Sequence, residues 1–275
     1  MKTYPCVLTI AGSDCSGGAG IQADIKTISA LGAYASSAIT AITVQNTCGV
    51  TDIHPVPAHY VKGQIEAVMT DIHPRAVKIG MINDVEIVKV IAEALRVFRP
   101  EFVVLDPVMV STSGCKLIED SAIEALISLL MPLATLITPN LSEAEVLVKR
   151  KVTTVPDMEQ AASELLVFGS RAVLVKGGHL AGGGMCDVLQ IAGETEAHRF
   201  SAPKIDSRNT HGTGCTLSSA IATYLALGES VVSAVEKAKE YVFKGILSGS
   251  EIHIGEGHGP LNHFHSPVAM HTFEG

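Results

Sequence analysis

The sequence predicts an α/β protein with a mostly parallel central sheet, and three observations predict it. Short β-branched runs alternate with longer segments of helical period along the 275 residues. The strand-like runs are apolar throughout rather than at every second position, as in sheets covered on both faces. No Pro/Gly/Ser-rich linker and no internal repeat divides the chain, so a single domain over residues 1–275 is expected.

The elements follow in order. VLTIA (7–11) reads as the first strand, followed by a loop and a helix from about Gly18 to Leu31. Residues 33–51 contain no Asp, Glu, Lys or Arg and read as strands or a flap near a ligand, with a plain sheet edge equally consistent. AVKIG (76–80), FVVLD (102–106), TLITP (135–139) and AVLVK (172–176) read as further strands. Between them, DVEIVKVIAEALRVF (84–98) and DSAIEALISLL (120–130) carry helical period. The closing GEGHGPLNHFHSPVAMH is loop-like and rich in histidine.

Composition narrows the function. Hydrophobic residues make up 47% and charged residues 17%, enough apolar content for a sizeable core. The formal charge is −8 without a run of Lys or Arg, which argues against nucleic acid as a partner. Cys6, Cys15, Cys48, Cys115, Cys186 and Cys215 are scattered without a CxxC pair, against a zinc site or a disulfide framework. The apolar run Val7 to Ala11 is too short for a signal peptide, and no stretch is long enough to span a bilayer. A reduced, cytoplasmic setting without membrane attachment is expected.

In an open parallel sheet, ligands gather at the carboxyl ends of the strands. Polar residues interrupt the apolar pattern at those ends: Gly12 and Asp14, Gly80 and Met81, Asp106, Asn140, and Lys176 with Gly177 and Gly178. Gly18-x-Gly20-x-x-Ala23 imitates a dinucleotide fingerprint. However, a six-residue loop precedes it, and no Asp or Glu lies between Asp24 and Asp52 to bind a ribose. A P-loop is excluded because the chain has no Gly-Lys dipeptide.

Residues 207–220, SRNTHGTGCTLSSA, place two glycines and a cysteine where an apolar helix begins. With Asn209 or Thr210 near the cap, Gly212, Thr213, Gly214 and Cys215 would present unpaired backbone N–H groups to an anion. A glycine-rich loop before a core helix is the alternative. Cys215 reads either as a small buried hydrophobe or as a thiol whose pKa the helix start depresses. Asp106 and Asn140-x-x-Glu143 suit a hard cation held directly or through water, or simple helix capping. Lys176 suits a nucleotide phosphate or a solvated surface. A metal site at His263 and His265 is disfavoured, since intracellular zinc sites usually recruit cysteine or carboxylate as well.

Taken together, LTIAGSDCSGGAGIQADIKT, ITAITVQNT, VKIGM, VLDPVM, LITPNLSEAE, VLVKGGH, NTHGTGCT and the closing GPLNHF segment resemble the hydroxymethylpyrimidine/phosphomethylpyrimidine kinases of thiamine biosynthesis, in the ribokinase-like superfamily. The resemblance covers nearly the whole chain. It implies a three-layer α/β sandwich with a small β flap over the substrate. It also implies two successive transfers of the ATP γ-phosphoryl group, first to 4-amino-5-hydroxymethyl-2-methylpyrimidine and then to its monophosphate.

By the same resemblance, Gly12, Asp24 and Gln45 would hydrogen-bond the pyrimidine, and Ala19, Thr43, Met81 and Val108 would line its faces. Thr43 departs from the pattern, where an aliphatic residue is usual. Asp106 and Glu143 would position Mg²⁺ through its water shell with Asn140 alongside, Lys176 would neutralise the nucleotide phosphates, and Gly212 to Cys215 would form the anion hole. Cys215 would act as base or only shape the pocket. A homodimer is implied. The competing readings are a pyridoxal or pyridoxine kinase, a pyrimidine-binding sensor without catalysis, and a cysteine hydrolase using Cys215, which lacks an identifiable His–acid pairing, His211 being close in sequence but equally a loop residue.

Overall fold

The structure is a computed structural model that describes residues 2–109, 117–178 and 184–274. In chain order the elements are β1 (Lys2–Thr3), β2 (Cys6–Asp14), α1 (Gly20–Ala30), β3 (Tyr34–Asn46), β4 (Gly49–Pro55), α2 (Ala58–Asp71), β5 (Ala76–Ile79), α3 (Val85–Phe98), β6 (Phe102–Leu105), α4 (Asp120–Ala125), β7 (Leu136–Ile137), α5 (Leu141–Val148), α6 (Val155–Leu165), β8 (Ala172–Val175), β9 (Gly184–Ile191), β10 (His198–Pro203), α7 (Thr213–Ala226), α8 (Val231–Gly249) and β11 (Phe273–Glu274). Cys115 and the histidine of the VLVKGGH segment lie outside the described residues.

Nine strands form one sheet in the order β10-β9-β8-β7-β6-β5-β2-β3-β4. The six from β8 to β3 are parallel, and the antiparallel strands β9 and β10 on one edge and β4 on the other complete it. Alternate residues of each central strand point to opposite faces. Leu8, Ile79, Leu105, Ile137 and Val173 therefore join one core, with Ile65 of α2, Ile91 of α3 and Met158 of α6. Val7, Val104, Leu136 and Leu174 join a second core, with Ile28 of α1, Ile221 of α7 and Tyr241 of α8. Two cores on one sheet make a three-layer sandwich, as the family resemblance implies.

Local chemistry sets several boundaries. Asp84 caps α3 by accepting a hydrogen bond from the Ile87 N–H at 3.0 Å, and Arg99 ends it in the left-handed region at φ 48°. The helix expected over 120–130 is α-helical only as far as Ala125. Leu126–Leu130 then widens into a π segment, and a 3₁₀ turn at Met131–Leu133 follows, with Pro132 in its first positions. The charge-free segment 33–51 forms a hairpin. The first half of β3 pairs with β2 inside the sheet, while Ala41–Asn46 pairs with β4 at the rim, leaving Ile42 and Val44 exposed.

Candidate functional site

The carboxyl ends of β2, β5, β6, β7 and β8 converge on the start of α7. Asp106, just past β6, is buried and anchored from three directions. Its Oδ1 accepts hydrogen bonds from Lys176 Nζ at 2.7 Å and Thr138 Oγ1 at 3.0 Å, and its Oδ2 accepts one from Ser218 Oγ at 3.3 Å. Burial alone would raise the Asp106 carboxyl, but the Lys176 and Lys78 ammonium groups outweigh burial and hold it below the usual range.

Asn140 and Glu143 cap α5 reciprocally. The Glu143 N–H donates to Asn140 Oδ1 at 2.9 Å, and the Asn140 N–H donates to Glu143 Oε2 at 2.7 Å. The capping alternative is thus fully realised, and it holds the Glu143 carboxyl beside Lys176 and Asp106. Burial pushes Glu143 up to about 7, with the Asp106 charge adding and Lys176 opposing. Two buried carboxylates are too few to cage a cation alone, and no cluster of three His, Cys, Asp or Glu suited to a metal occurs among the described residues. The pair fits Mg²⁺, which keeps several waters and shares its ligands with phosphates, and whose charge would return Glu143 to its ionised form.

Above this group lies the start of α7. Gly212 is its N-cap at φ 79°, and a Cβ there would stand 1.8 Å from the Gly18 carbonyl oxygen, so only glycine fits. A Cβ on Gly214 would lie 3.4 Å from Lys176 Nζ and 3.7 Å from Asp106 Oδ2. Thr213, Gly214 and Cys215 are half-buried and open to the site. The Thr213 N–H donates to the Thr210 carbonyl at 3.3 Å, so it is the amides of Gly214 and Cys215, with the positive helix end, that are left to face the Lys176–Asp106 pair.

Cys215 departs from one of the two expectations. A helix start lowers a thiol's pKa, but here burial pushes it up to about 11. Lys78 opposes the rise, and Asp24 and Asp106 add to it. The resting group is a thiol. His211, the histidine close to Cys215 in sequence, is engaged elsewhere: its Nε2 lies 2.8 Å from Asp14 Oδ2 and 3.2 Å from Gln45 Nε2.

The strand-end residues expected to hold a heterocycle are mostly brought together. Met81 Sδ would lie 3.0 Å from a Cβ on Gly12, and the Met81 carbonyl accepts from Thr40 Oγ1 at 2.7 Å. Ala19 abuts Gly212. Thr43 donates to the Ser13 carbonyl at 2.9 Å, and its hydroxyl lies 3.1 Å from Gln45 Oε1. Val108 is placed by its N–H donating to the Asp106 carbonyl at 2.8 Å.

Asp24 is fully buried, with Lys78 Nζ at 3.0 and 2.8 Å from its two oxygens and Thr9 Oγ1 at 2.6 Å from Oδ2.

Two groups escaped the sequence reading. Asp14 was visible only as a polar strand end. It accepts hydrogen bonds from Ser16 N–H and Oγ, Gly18 N–H, Ala19 N–H and His211, and so ties the first loop to the α7 loop. Burial would raise its carboxyl, but the bonds from His211, Ser16 and Ala19 hold it at about 2. Lys78 reads in the sequence as one strand residue among others. A charge within an otherwise apolar strand was the available signal. His263 and His265 serve packing: His263 Nε2 lies 3.1 Å from Thr216 Oγ1, and His265 Nε2 lies 3.0 Å from the Tyr241 carbonyl.

Comparison with known proteins gives this geometry relatives. The profile of the phosphomethylpyrimidine kinase family matches residues 14–262. The chain is 49% identical over 259 residues to a hydroxymethylpyrimidine/phosphomethylpyrimidine kinase of Rhizobium meliloti, covering 94% of this chain and 96% of that one. It is 48% identical to a thiamine biosynthesis bifunctional protein of Geobacter sulfurreducens, of which it spans 52%. Among solved structures, phosphomethylpyrimidine kinase from Clostridium difficile matches at TM-score 0.78 and 47% identity, over 88% of this chain and 99% of that one. Pyridoxal kinase from Staphylococcus aureus in complex with ADP matches at TM-score 0.88 and 33% identity, over 98% and 99%. The shared architecture is ribokinase-like, and the pyridoxal kinase stands further off in sequence. With a family profile spanning most of the residues and near-half identity over almost the full length, the chain belongs to the phosphomethylpyrimidine kinase family.

Proposed function

We propose that this chain transfers the γ-phosphoryl group of ATP to the 5-hydroxymethyl group of 4-amino-5-hydroxymethyl-2-methylpyrimidine, and then to the resulting monophosphate, supplying a pyrimidine diphosphate for thiamine. The observation that carries this reading is the open start of α7 directly over Lys176 and Asp106. Binding alone requires no such anion cradle, which disfavours the sensor.

In this reading the α7 start from Gly212 to Cys215 cradles the migrating group, with the amides of Gly214 and Cys215 and the Thr213 side chain turned to it, and Lys176 leaves Asp106 to meet the nucleotide phosphates. Asp106 and Glu143 would hold Mg²⁺, with Asn140 fixing the Glu143 carboxyl. When bound, Mg²⁺ supplies neutralisation of phosphate charge. Such transfer is driven mainly by positioning and charge stabilisation. Gln45, with Asp24 and the Gly12 backbone, pairs the pyrimidine edge. Ala19, Met81 and Val108 line its faces. Because Cys215 rests as a thiol, it shapes the pocket, and the hydroxyl proton departs late, as a loose transition state permits.

The pyridoxal kinase alternative draws on the TM-score of 0.88. Gln45 and Met81 favour the aminopyrimidine. The whole of residues 1–275 is assigned to one catalytic unit working as a homodimer in the cytoplasm. Among the described residues Cys6, Cys15, Cys48, Cys186 and Cys215 are free, and no helix is long and apolar enough to cross a membrane. The test is mass analysis after incubating the pure protein with the pyrimidine alcohol, ATP and Mg²⁺. Monophosphate and then diphosphate are expected. No phosphorylated product, or a higher kcat/KM with pyridoxal, would overturn the reading.

A further inference from the structure

Asp187 is a buried carboxylate that the roles above do not use. It lies on β9, where Val188 joins the core shared with α2, α3 and α6, and Leu189 joins the core shared with α7 and α8. By strand alternation Asp187 shares the face of Leu189. There its Oδ2 accepts a hydrogen bond from Lys239 Nζ of α8 at 2.6 Å, and both side chains are largely buried.

Its other oxygen acts on the site. The β8–β9 ladder runs from Ala172 opposite Ile191 to Val175 opposite Val188. Two residues further, the Gly177 N–H donates to Asp187 Oδ1 at 2.9 Å, so a side chain of β9 takes over from its backbone as partner. Lys176 lies between, and its own N–H donates to the Pro139 carbonyl at 2.9 Å on the β7 side. The chain around Lys176 is thus pinned twice, through Pro139 to β7 and through Asp187 and Lys239 to β9 and α8. From this held base the Lys176 ammonium reaches Asp106.

Sheet order says what crosses this turn. The acceptor-side residues Gly12, Gln45 and Met81 stand on β2, on β3 and just past β5, to one side of the Lys176–Asp106 pair. In-line transfer puts the donor on the opposite side of the moving group. That side is formed by β7, β8 and β9, so the nucleotide runs over Asn140, Gly177 and Gly178. Among the described residues, a Cβ on Gly178 would meet Met185 Cε alone, at 3.8 Å, which leaves the turn open to a ligand.

We propose that Asp187 is a positioning residue for the nucleotide: it fixes the Lys176–Gly178 turn under the phosphates, and Lys239 neutralises it so that no bare carboxylate stands beside a triphosphate. The inference rests on the kinase reading. Asp187 touches neither substrate nor the reacting atoms. An acceptor is needed at this place, and its charge is tolerated because it is paired.

The test measures kcat and the KM for ATP and for the pyrimidine alcohol, beside thermal melting, in wild type and four variants. Asp187→Ala removes the acceptor, and the ATP KM should rise about 10- to 50-fold while the pyrimidine KM stays within about twofold. Asp187→Asn keeps an oxygen for the Gly177 N–H and should recover the ATP KM to within about threefold of wild type. Lys239→Met leaves Asp187 charged and unpaired, and the ATP KM should rise about 5- to 30-fold. Adding Asp187→Asn to Lys239→Met should reverse most of that rise. A folded Asp187→Ala with a wild-type ATP KM, an equal rise in the pyrimidine KM, or a double variant no better than Lys239→Met overturns the proposal. If Asp187→Ala fails to fold, the comparison of Lys239→Met with the double variant decides alone. Wild-type turnover is measured first; its absence defeats the kinase reading itself, and the proposal falls with it.

Discussion

Lys176 sits 2.7 Å from Asp106 and within reach of the α7 amides, so its loss should separate transfer from folding. Lys176→Gln is expected to lower kcat by about 10²–10³ and to raise the ATP KM, measured in a coupled ADP assay. Glu143 gives a pH signature. Its folded pKa of about 7 exceeds the ordinary 4.5, so the nucleotide-free fold holds a proton there that the unfolded chain releases. The stability Glu143 adds is full below about 4.5 and is lost as pH rises to about 7. Melting curves of Glu143→Gln should lack that slope, and half-saturating Mg²⁺ in the wild type should rise as pH falls below about 7. Cys215, pushed up to about 11, should alkylate slowly at neutral pH, about tenfold faster with each added pH unit until that value. A fast, pH-flat reaction would restore the thiolate base.

The strands were legible because burial on both faces leaves continuous apolar runs, and α3 was legible from its period and the Asp84 cap. β9 and β10 were not, since HRFSAP alternates half-buried and exposed positions and has no apolar run. The π segment of Leu126–Leu130 was invisible because its residues carry the same pattern as an α-helix. The site was readable wherever a motif sits at a strand end. The partner of Asp24 was not legible, because sequence does not show that Lys78, 54 positions away, turns to the same face and bonds its oxygens. Two glycines then give opposite outcomes. Gly212→Ala forces a Cβ into the Gly18 carbonyl and should abolish turnover and lower the melting temperature. Gly63, inside α2 with nothing within 4 Å of an added Cβ, should gain about 0.5–1 kcal/mol on Gly63→Ala, read by urea unfolding.

The assembled molecule draws its site from loops far apart in the chain, and the Asp14–His211 bond joins residues 197 positions apart. Asp14→Asn should cost about 1–3 kcal/mol by weakening five hydrogen bonds to a charged acceptor, and should loosen both loops together. In the wild type that contribution is present above the ordinary carboxylate value near 3.8 and is lost as pH falls to about 2. Order of synthesis matters as well. One face of the sheet is covered by α2, α3 and α6, all made before residue 166, whereas α7 and α8 begin only at Thr213 and Val231. On the ribosome, Val104, Leu136 and Leu174 therefore emerge well before their lids do. Nascent chains halted near residue 205 should bind chaperones that recognise bare apolar surface, and release them once the last quarter of the protein has been made.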